Sequence, residues 1–336
     1  MVLLPTEECP ADPVFGRSGP VVCDGLHDAL YGVPGRWRLR RAGGVLWLDP
    51  RPRADHVMEA YTDYHTHASA PAESGGLGGR SHWYQQVRTR VLAAQASGSK
   101  SGRLPLLSRV PPVREQLRFD GGYLGVSDGK SVLDVGCGRG DLVQSLQAAG
   151  WRAKGIDPDP SAVEAARALG RDVALGDAES IAALAETFDA VVMYHVLEHL
   201  YDPLRALQDV RSRLKPGGRV VVVTPNADSA CRRIFGCHWR GLEPPRHLQI
   251  FTRDSLRRTL QLAGLHSVSV RTSARDASGM FCASHAIKNF GNATDISLTP
   301  KSVRLKGDLV LAAEVVLTGL GIPVGEELVA LAESPR

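Results

Sequence analysis

Histidine, glutamate and glycine recur in this 336-residue chain at spacings that can do chemistry. "HVLEHL" (195–200) contains H-x-x-E-H, an order in which two imidazoles can hold a zinc ion for peptide hydrolysis. "VLDVGCGRGDL" (132–142) sets Gly136, Gly138 and Gly140 behind an apolar run that carries Asp134. "EPPRHLQIFT" (243–252) adds His247, and "YTDYHTH" (61–67) clusters Tyr61, Tyr64, His65 and His67. The chemistry open to these groups is metal-assisted hydrolysis, binding of a nucleotide-like cofactor, or proton transfer by a histidine near neutral pH.

The elements that must position them decide between these. From about residue 128 strand and helix patterns alternate. "KSVLDVGCG" is an apolar strand ending in glycines, and "DLVQSLQAAG" is a helix stopped by Gly150. "RAKGIDPDP" is a second strand and turn. "SAVEAARALG" comes next as a helix with a Ser N-cap. "DVALGDAES" and "FDAVVMYHV" are the third and fourth strands. "RVVVVTPN" is a fifth, almost wholly β-branched and so buried on both faces. "TRDSLRRTLQLAGL", "HSVSVRT" and, much later, "GEELVALA" (325–332) supply a helix and two more strands. This alternation predicts an α/β fold, a doubly wound, mainly parallel sheet. Ligands bind such sheets at the carboxyl ends of the strands.

In that frame "HVLEHL" runs straight out of the fourth strand. A zinc peptidase would set both histidines on one face of a long helix. Here Pro203 favours a new helix start near Asp202, so 195–200 is predicted as a short turn. The glycines are spaced G-x-G-x-G and not G-x-G-x-x-G, which departs from the nicotinamide-dinucleotide fingerprint.

The glycine pattern with Asp134, followed by Asp157 in "GIDPDP", Asp177 in "LGDAES" and "LKPGGRVVVVTPN", resembles the class I S-adenosylmethionine-dependent methyltransferases. The resemblance covers about 125–271 plus the last strand. It implies a seven-stranded Rossmann-like sheet with S-adenosyl-L-methionine as cofactor. It implies a loop of Asp134, Gly136, Cys137, Gly138 and Gly140 around the methionine part. Asp157 with Pro158 would meet the ribose, and Asp177 with Ala178 the adenine. "HVLEHL-DP" and "EPPRHLQIFT" are similar to the subfamily of ubiquinone-biosynthesis O-methyltransferases and many natural-product methyltransferases. By that likeness His195 packs near the cofactor, Glu198 and His199 face the substrate, and His199 or His247 is the general base. The acceptor would be a small molecule, O-directed, with C- or N-methylation and a non-catalytic cofactor-binding protein as the alternatives. A divalent metal on Glu198, His199 and His247 is the minority arrangement. The stretch from "ALYGVPG" through "GVLWLDPRP" to "YTDYHTH" resembles a leader that usually bears a zinc ribbon, but "RRAGG" lacks its cysteines, so zinc is not carried over. In the same relatives the "YTDYHTH" segment lies over the cleft, which places Tyr61 and His67 at the cofactor.

Three regions are expected: a degenerate ribbon-like stretch over 1–60, a helical cap and linker over 61–124, and the cofactor-binding domain over 125–336. An insertion at 272–324 forms helices over the pocket or an oligomer contact such as a homodimer. Net charge is only +4, with basic residues scattered, so nucleic acid is not an expected partner. "MVLLPTEECP" lacks the basic start of a signal peptide, and "LVLAAEVVLTGLGIPV" is too broken to span a bilayer. No two of the six cysteines form C-x-x-C, so free thiols and a cytoplasmic location are the expectation.

Overall fold

A computed structural model describes residues 3–61, 110–293 and 299–336. Tyr64, His65, His67 and the helix expected near 82–95 lie outside the described residues. The N-terminal region forms β1 (Thr6–Glu7), β2 (Val21–Leu26), β3 (Trp37–Ala42), β4 (Val45–Leu48) and β5 (Arg51–Pro52). Then come α1 (Pro111–Asp120), β6 (Ser131–Val135), α2 (Asp141–Ala148), β7 (Arg152–Asp157), α3 (Pro160–Ala168) and β8 (Val173–Leu175). β9 (Phe188–Tyr194), α4 (Pro203–Arg213), β10 (Leu214–Pro225), α5 (Ala230–Phe235), β11 (Gln249–Phe251) and α6 (Arg253–Leu262) are next along the chain. The chain ends with β12 (His266–Ser273), α7 (Ala277–Phe290), α8 (Lys301–Gly319) and β13 (Glu327–Glu333).

The seven-stranded sheet has the order β12-β13-β10-β9-β6-β7-β8. β13 runs antiparallel to both neighbours, and the β10-β9-β6-β7-β8 pairs are parallel. Strand sequence explains the burial: Val191, Val192 and Met193 of β9 and Val220 to Val223 of β10 expose nothing. Both faces of these central strands are covered, as a near-continuous apolar run requires. The α/β, mainly parallel seven-stranded expectation holds. α3 starts at Pro160 under an Asp159 cap, and not under Ser161 as the spacing suggested. The Asp159 carboxylate takes the Ser161 and Ala162 N–H groups, and proline suits the first helical position.

The N-terminal strands do not form a detached ribbon. β2, β3 and β4 make an antiparallel meander, and β11 from the later chain adds to β4 as the fourth strand. Among the described residues, the clusters able to hold a metal include none from 1–60. Arg246 fastens the two regions: its guanidinium donates to both oxygens of Asp28 at 2.7 and 3.0 Å, to the Ala60 carbonyl at 3.1 Å and to Glu243 at 3.1 Å. All of Arg246 is buried, and Asp28 and Glu243 supply the opposite charge that such burial demands.

A disulfide joins Cys23 of β2 to Cys237, 214 residues later. The expectation of free thiols is therefore corrected for these two; Cys9, Cys137, Cys231 and Cys282 are unbonded. The expected helices of the 272–324 insertion are α7 and α8, which pack on one another. No helix among the described residues is long and apolar enough to cross a membrane.

Candidate active site

The glycine loop leaves β6 with Gly136, Gly138 and Gly140 all at positive φ (68°, 52° and 75°). That conformation strains any side-chain-bearing residue. A Cβ on Gly136 would lie 2.5 Å from Val196 Cγ2, so this glycine also lets the loop meet the turn after β9. The loop's N–H groups point inward. Gly136 and Cys137 donate to the Ile156 carbonyl at 2.8 and 3.1 Å, and Gly138 donates to Asp157 Oδ2 at 2.7 Å. Dinucleotide loops keep such N–H groups for a pyrophosphate. Here they are committed within the protein, which suits a cofactor without phosphate.

Asp157 ends β7 and is buried. One oxygen takes the Gly138 N–H, and the other takes the Asp159 N–H at 3.0 Å. It therefore fixes both the glycine loop and the entry to α3, a role that spacing alone does not reveal. Pro158 is exposed beside it. Asp134 lies under the loop, where burial and the neighbouring Asp157 push its carboxyl well above the ordinary range. Burial likewise pushes the Cys137 thiol up. Beyond β8, Asp177 is exposed and folds its own turn through the Glu179 and Ser180 N–H groups, while Ala178 is buried beneath it.

The turn after β9 departs from a zinc-peptidase helix. His195 stands alone at φ 52°, and Leu197–His199 form one 3-10 turn. Gln249 of β11 grips that turn by donating to the Leu197 and Leu200 carbonyls at 2.7 and 2.8 Å. His195 lies between two carboxylates: Nδ1 is 3.1 Å from Glu198, and Nε2 is 3.2 Å from Glu327 on β13. Burial would lower its pKa, but the two carboxylates prevail and push it up to about 10. Arg275 pairs with the same Glu327, so two cations and two anions balance.

Glu198, expected to face the substrate, is fully buried in this structure. Its second oxygen accepts Thr224 Oγ1 at 2.9 Å. Burial would raise its pKa; His195 overrides this and holds it down to about 2. Glu198→Gln is expected to cost roughly 1.5–3 kcal/mol of stability, the worth of a hydrogen bond to a charged group. The pH dependence has a definite sign. A raised His195 stabilises fully below 6.5 and loses this as pH rises toward about 10. A lowered Glu198 stabilises above 4.5 and loses this as pH falls toward about 2. Chemical unfolding should therefore show the largest wild-type advantage between pH 4.5 and 6.5, and a pH-independent difference would refute the pairing.

His199, His247 and Tyr61 do come together. His199 Nδ1 lies 3.0 Å from the Arg246 carbonyl and 2.9 Å from Tyr61 Oη. A carbonyl only accepts, so the contact with Arg246 favours the tautomer with the proton on Nδ1, in which Tyr61 Oη accepts from the same N–H. The His247 ring stands edge-on at 4.8 Å between centroids. Its Nδ1 donates to the Gly241 carbonyl at 2.8 Å, and burial lowers its pKa to about 4. His199 is half-buried, whereas His247 is 5% exposed. One donor atom each from Glu198, His199 and His247 lies within 4.8 Å of the others, a set of the right types for a divalent cation.

A sheet of this order, with a phosphate-free glycine loop on its first parallel strand and a carboxylate ending the second, defines an adenosyl-cofactor-binding α/β domain. Residues 109–270 match the methyltransferase-domain family model. This segment, just under half of the chain, is thus similar to methyltransferase domains, and S-adenosylmethionine is the cofactor that this likeness supports. A ubiquinone biosynthesis O-methyltransferase from Cereibacter sphaeroides is 34% identical over 153 residues, 42% of this chain and 62% of that protein. Its counterpart from Vibrio cholerae is 40% identical over 105 residues, 29% of this chain and 43% of that protein. The match to these curated relatives thus spans less than two thirds of their length. A SAM-dependent methyltransferase structure from Archaeoglobus fulgidus aligns with a TM-score of 0.45 at 17% identity, covering 67% of this chain and 94% of that one.

Glu327, Thr224, Arg246 and Gln249 are site-shaping residues that sequence reasoning missed. Arg246 and Gln249 lay within the "EPPRHLQIFT" stretch, and Glu327 in the acidic pair Glu326-Glu327 before an otherwise apolar run, whereas Thr224 carried no signal.

Proposed function

We propose that this protein methylates an oxygen nucleophile of a small-molecule acceptor, as in natural-product or secondary metabolism, with His199 as general base. The observation that carries this is the Nδ1 contact of His199 with the Arg246 carbonyl, which leaves Nε2 basic on a half-buried ring. When bound, S-adenosylmethionine supplies an electrophilic methyl carbon. Asp157 meets the ribose while it holds the glycine loop, and Asp177 with Ala178 borders the adenine. The acceptor hydroxyl would give its proton to His199 Nε2 as its oxygen takes up the methyl group that the bound cofactor would supply. The Arg246 carbonyl favours the required tautomer, and the Tyr61 hydroxyl fixes the position of the ring. His247 is a positioning residue, since burial keeps it neutral and out of reach of solvent.

The reaction is proposed to run without a metal, because both Glu198 oxygens are committed to His195 and Thr224. Turnover measured after exhaustive chelation should equal that of untreated enzyme. A loss that added Mg²⁺ or Zn²⁺ restores would contradict this. The test of the reading as a whole is transfer of labelled methyl to a hydroxylated acceptor panel by wild type and by His199→Ala. Products labelled only on nitrogen or carbon would overturn the O-directed assignment.

A further inference from the structure

Beside the carboxyl end of β12 lies a cavity of about 710 Å³, within the range of sites for drug-sized molecules. Its lining comes from α1, the end of β12 with the residues after it, the start of α7 and α8 of the insertion, together with Arg253 of α6, which lies 3.8 Å from Asp254. It adjoins the histidine turn through Arg275, which lines it and shares Glu327 with His195.

The walls differ in chemistry. Leu311, Val315, Ile322 and Pro323 give an apolar side. The opposite side presents the guanidinium groups of Arg114, Arg118, Arg271 and Arg275. Arg275 is spent on Glu327, and Arg271 is spent on Glu115 at 2.8 Å. Arg118 reaches the same Glu115 only at 3.9 Å, and among the described residues Arg114 has no carboxylate partner. The other two acids of the lining belong to the start of α7 and to α8, not to α1. Asp308 accepts Ser278 Oγ on the far side at 2.8 Å, and burial pushes the Asp276 carboxyl up. An apolar slot with surplus positive charge at one end selects an amphiphilic anion.

We infer that the methyl acceptor is an amphiphilic acid, its apolar body lying along α8 and its carboxylate or phosphate group read by Arg114 and Arg118. This rests on the methyl-transfer reading and names the class of acceptor that the reaction would take from the cavity beside the histidine turn. The Arg271–Glu115 and Arg275–Glu327 pairs hold the wall rigid, and the insertion supplies the surface that accepts the apolar part.

The test uses two fluorescent probes of similar shape on the full-length protein: anionic 1-anilinonaphthalene-8-sulfonate and neutral N-phenyl-1-naphthylamine. The sulfonate should bind one-to-one and lose about tenfold in affinity in Arg114→Ala/Arg118→Ala, the scale of one charge-assisted hydrogen bond. The neutral probe should be unmoved by that pair. Val315→Arg, which fills the slot, should remove both probes while the protein still binds S-adenosylmethionine. Octanoate or octyl phosphate should displace the sulfonate, and whichever competes better identifies the anion. Equal loss of both probes in the arginine variant, binding that survives Val315→Arg, or displacement by neither amphiphile overturns the inference. Cofactor binding is read separately, so a protein that passes this test yet binds no S-adenosylmethionine refutes only the methyl-transfer reading.

Discussion

His199→Ala is expected to lower kcat by about 10²- to 10⁴-fold, the usual worth of a positioned general base. Affinity for S-adenosylmethionine should stay at the wild-type level, because among the described residues the side chain's hydrogen bonds go to Tyr61 and the Arg246 carbonyl. Pre-steady-state methyl transfer at saturating cofactor separates the two quantities. His247→Ala should fall less and should carry a stability loss, since it removes a buried ring and its bond to Gly241. An unchanged kcat in His199→Ala, or a larger fall in His247→Ala, would move the base assignment to the buried ring.

Asp157→Ala is expected to weaken cofactor binding by at least about 100-fold. The carboxylate does two jobs. It accepts the Gly138 and Asp159 N–H groups, and those two buried donors would be left without it. Each orphaned donor costs about 1–3 kcal/mol. It also presents the acid that is proposed to meet the ribose hydroxyls. Asp157→Asn keeps one acceptor and should sit between the two. If both variants bind the cofactor as wild type does, the carboxyl end of β7 is not the cofactor site.

The parallel strands were legible along the chain because each is an apolar run, and β6, β7, β8 and β10 close on glycine, aspartate or proline, a signal that local sequence carries. Asp157 and Gly138 could be picked out as neighbours in a motif. The bond between them could not, because it depends on how two strands align side by side. Glu198 shows the limit more sharply. In sequence it is one of three polar groups in "HVLEHL", and nothing says which of them turns inward. Burial is decided by Thr224 and Glu327, which come from distant strands. The same reason hid the Cys23–Cys237 bond and the addition of β11 to the N-terminal meander, both of which join segments about 200 residues apart. α1 falls within the helical cap and linker expected over 61–124, but no helix was assigned to "PPVREQLRFD", which opens on two prolines although proline suits a first helical turn.

Whether the glycine loop, Asp157 and Asp177 together hold S-adenosylmethionine decides everything built on them. Equilibrium dialysis of the whole chain against the methyl-labelled cofactor answers that without assuming an acceptor. One bound cofactor per chain is expected, with a dissociation constant in the range of about 1 μM to 1 mM that enzymes use for their substrates. Absence of bound label at millimolar cofactor would contradict the assignment of the site.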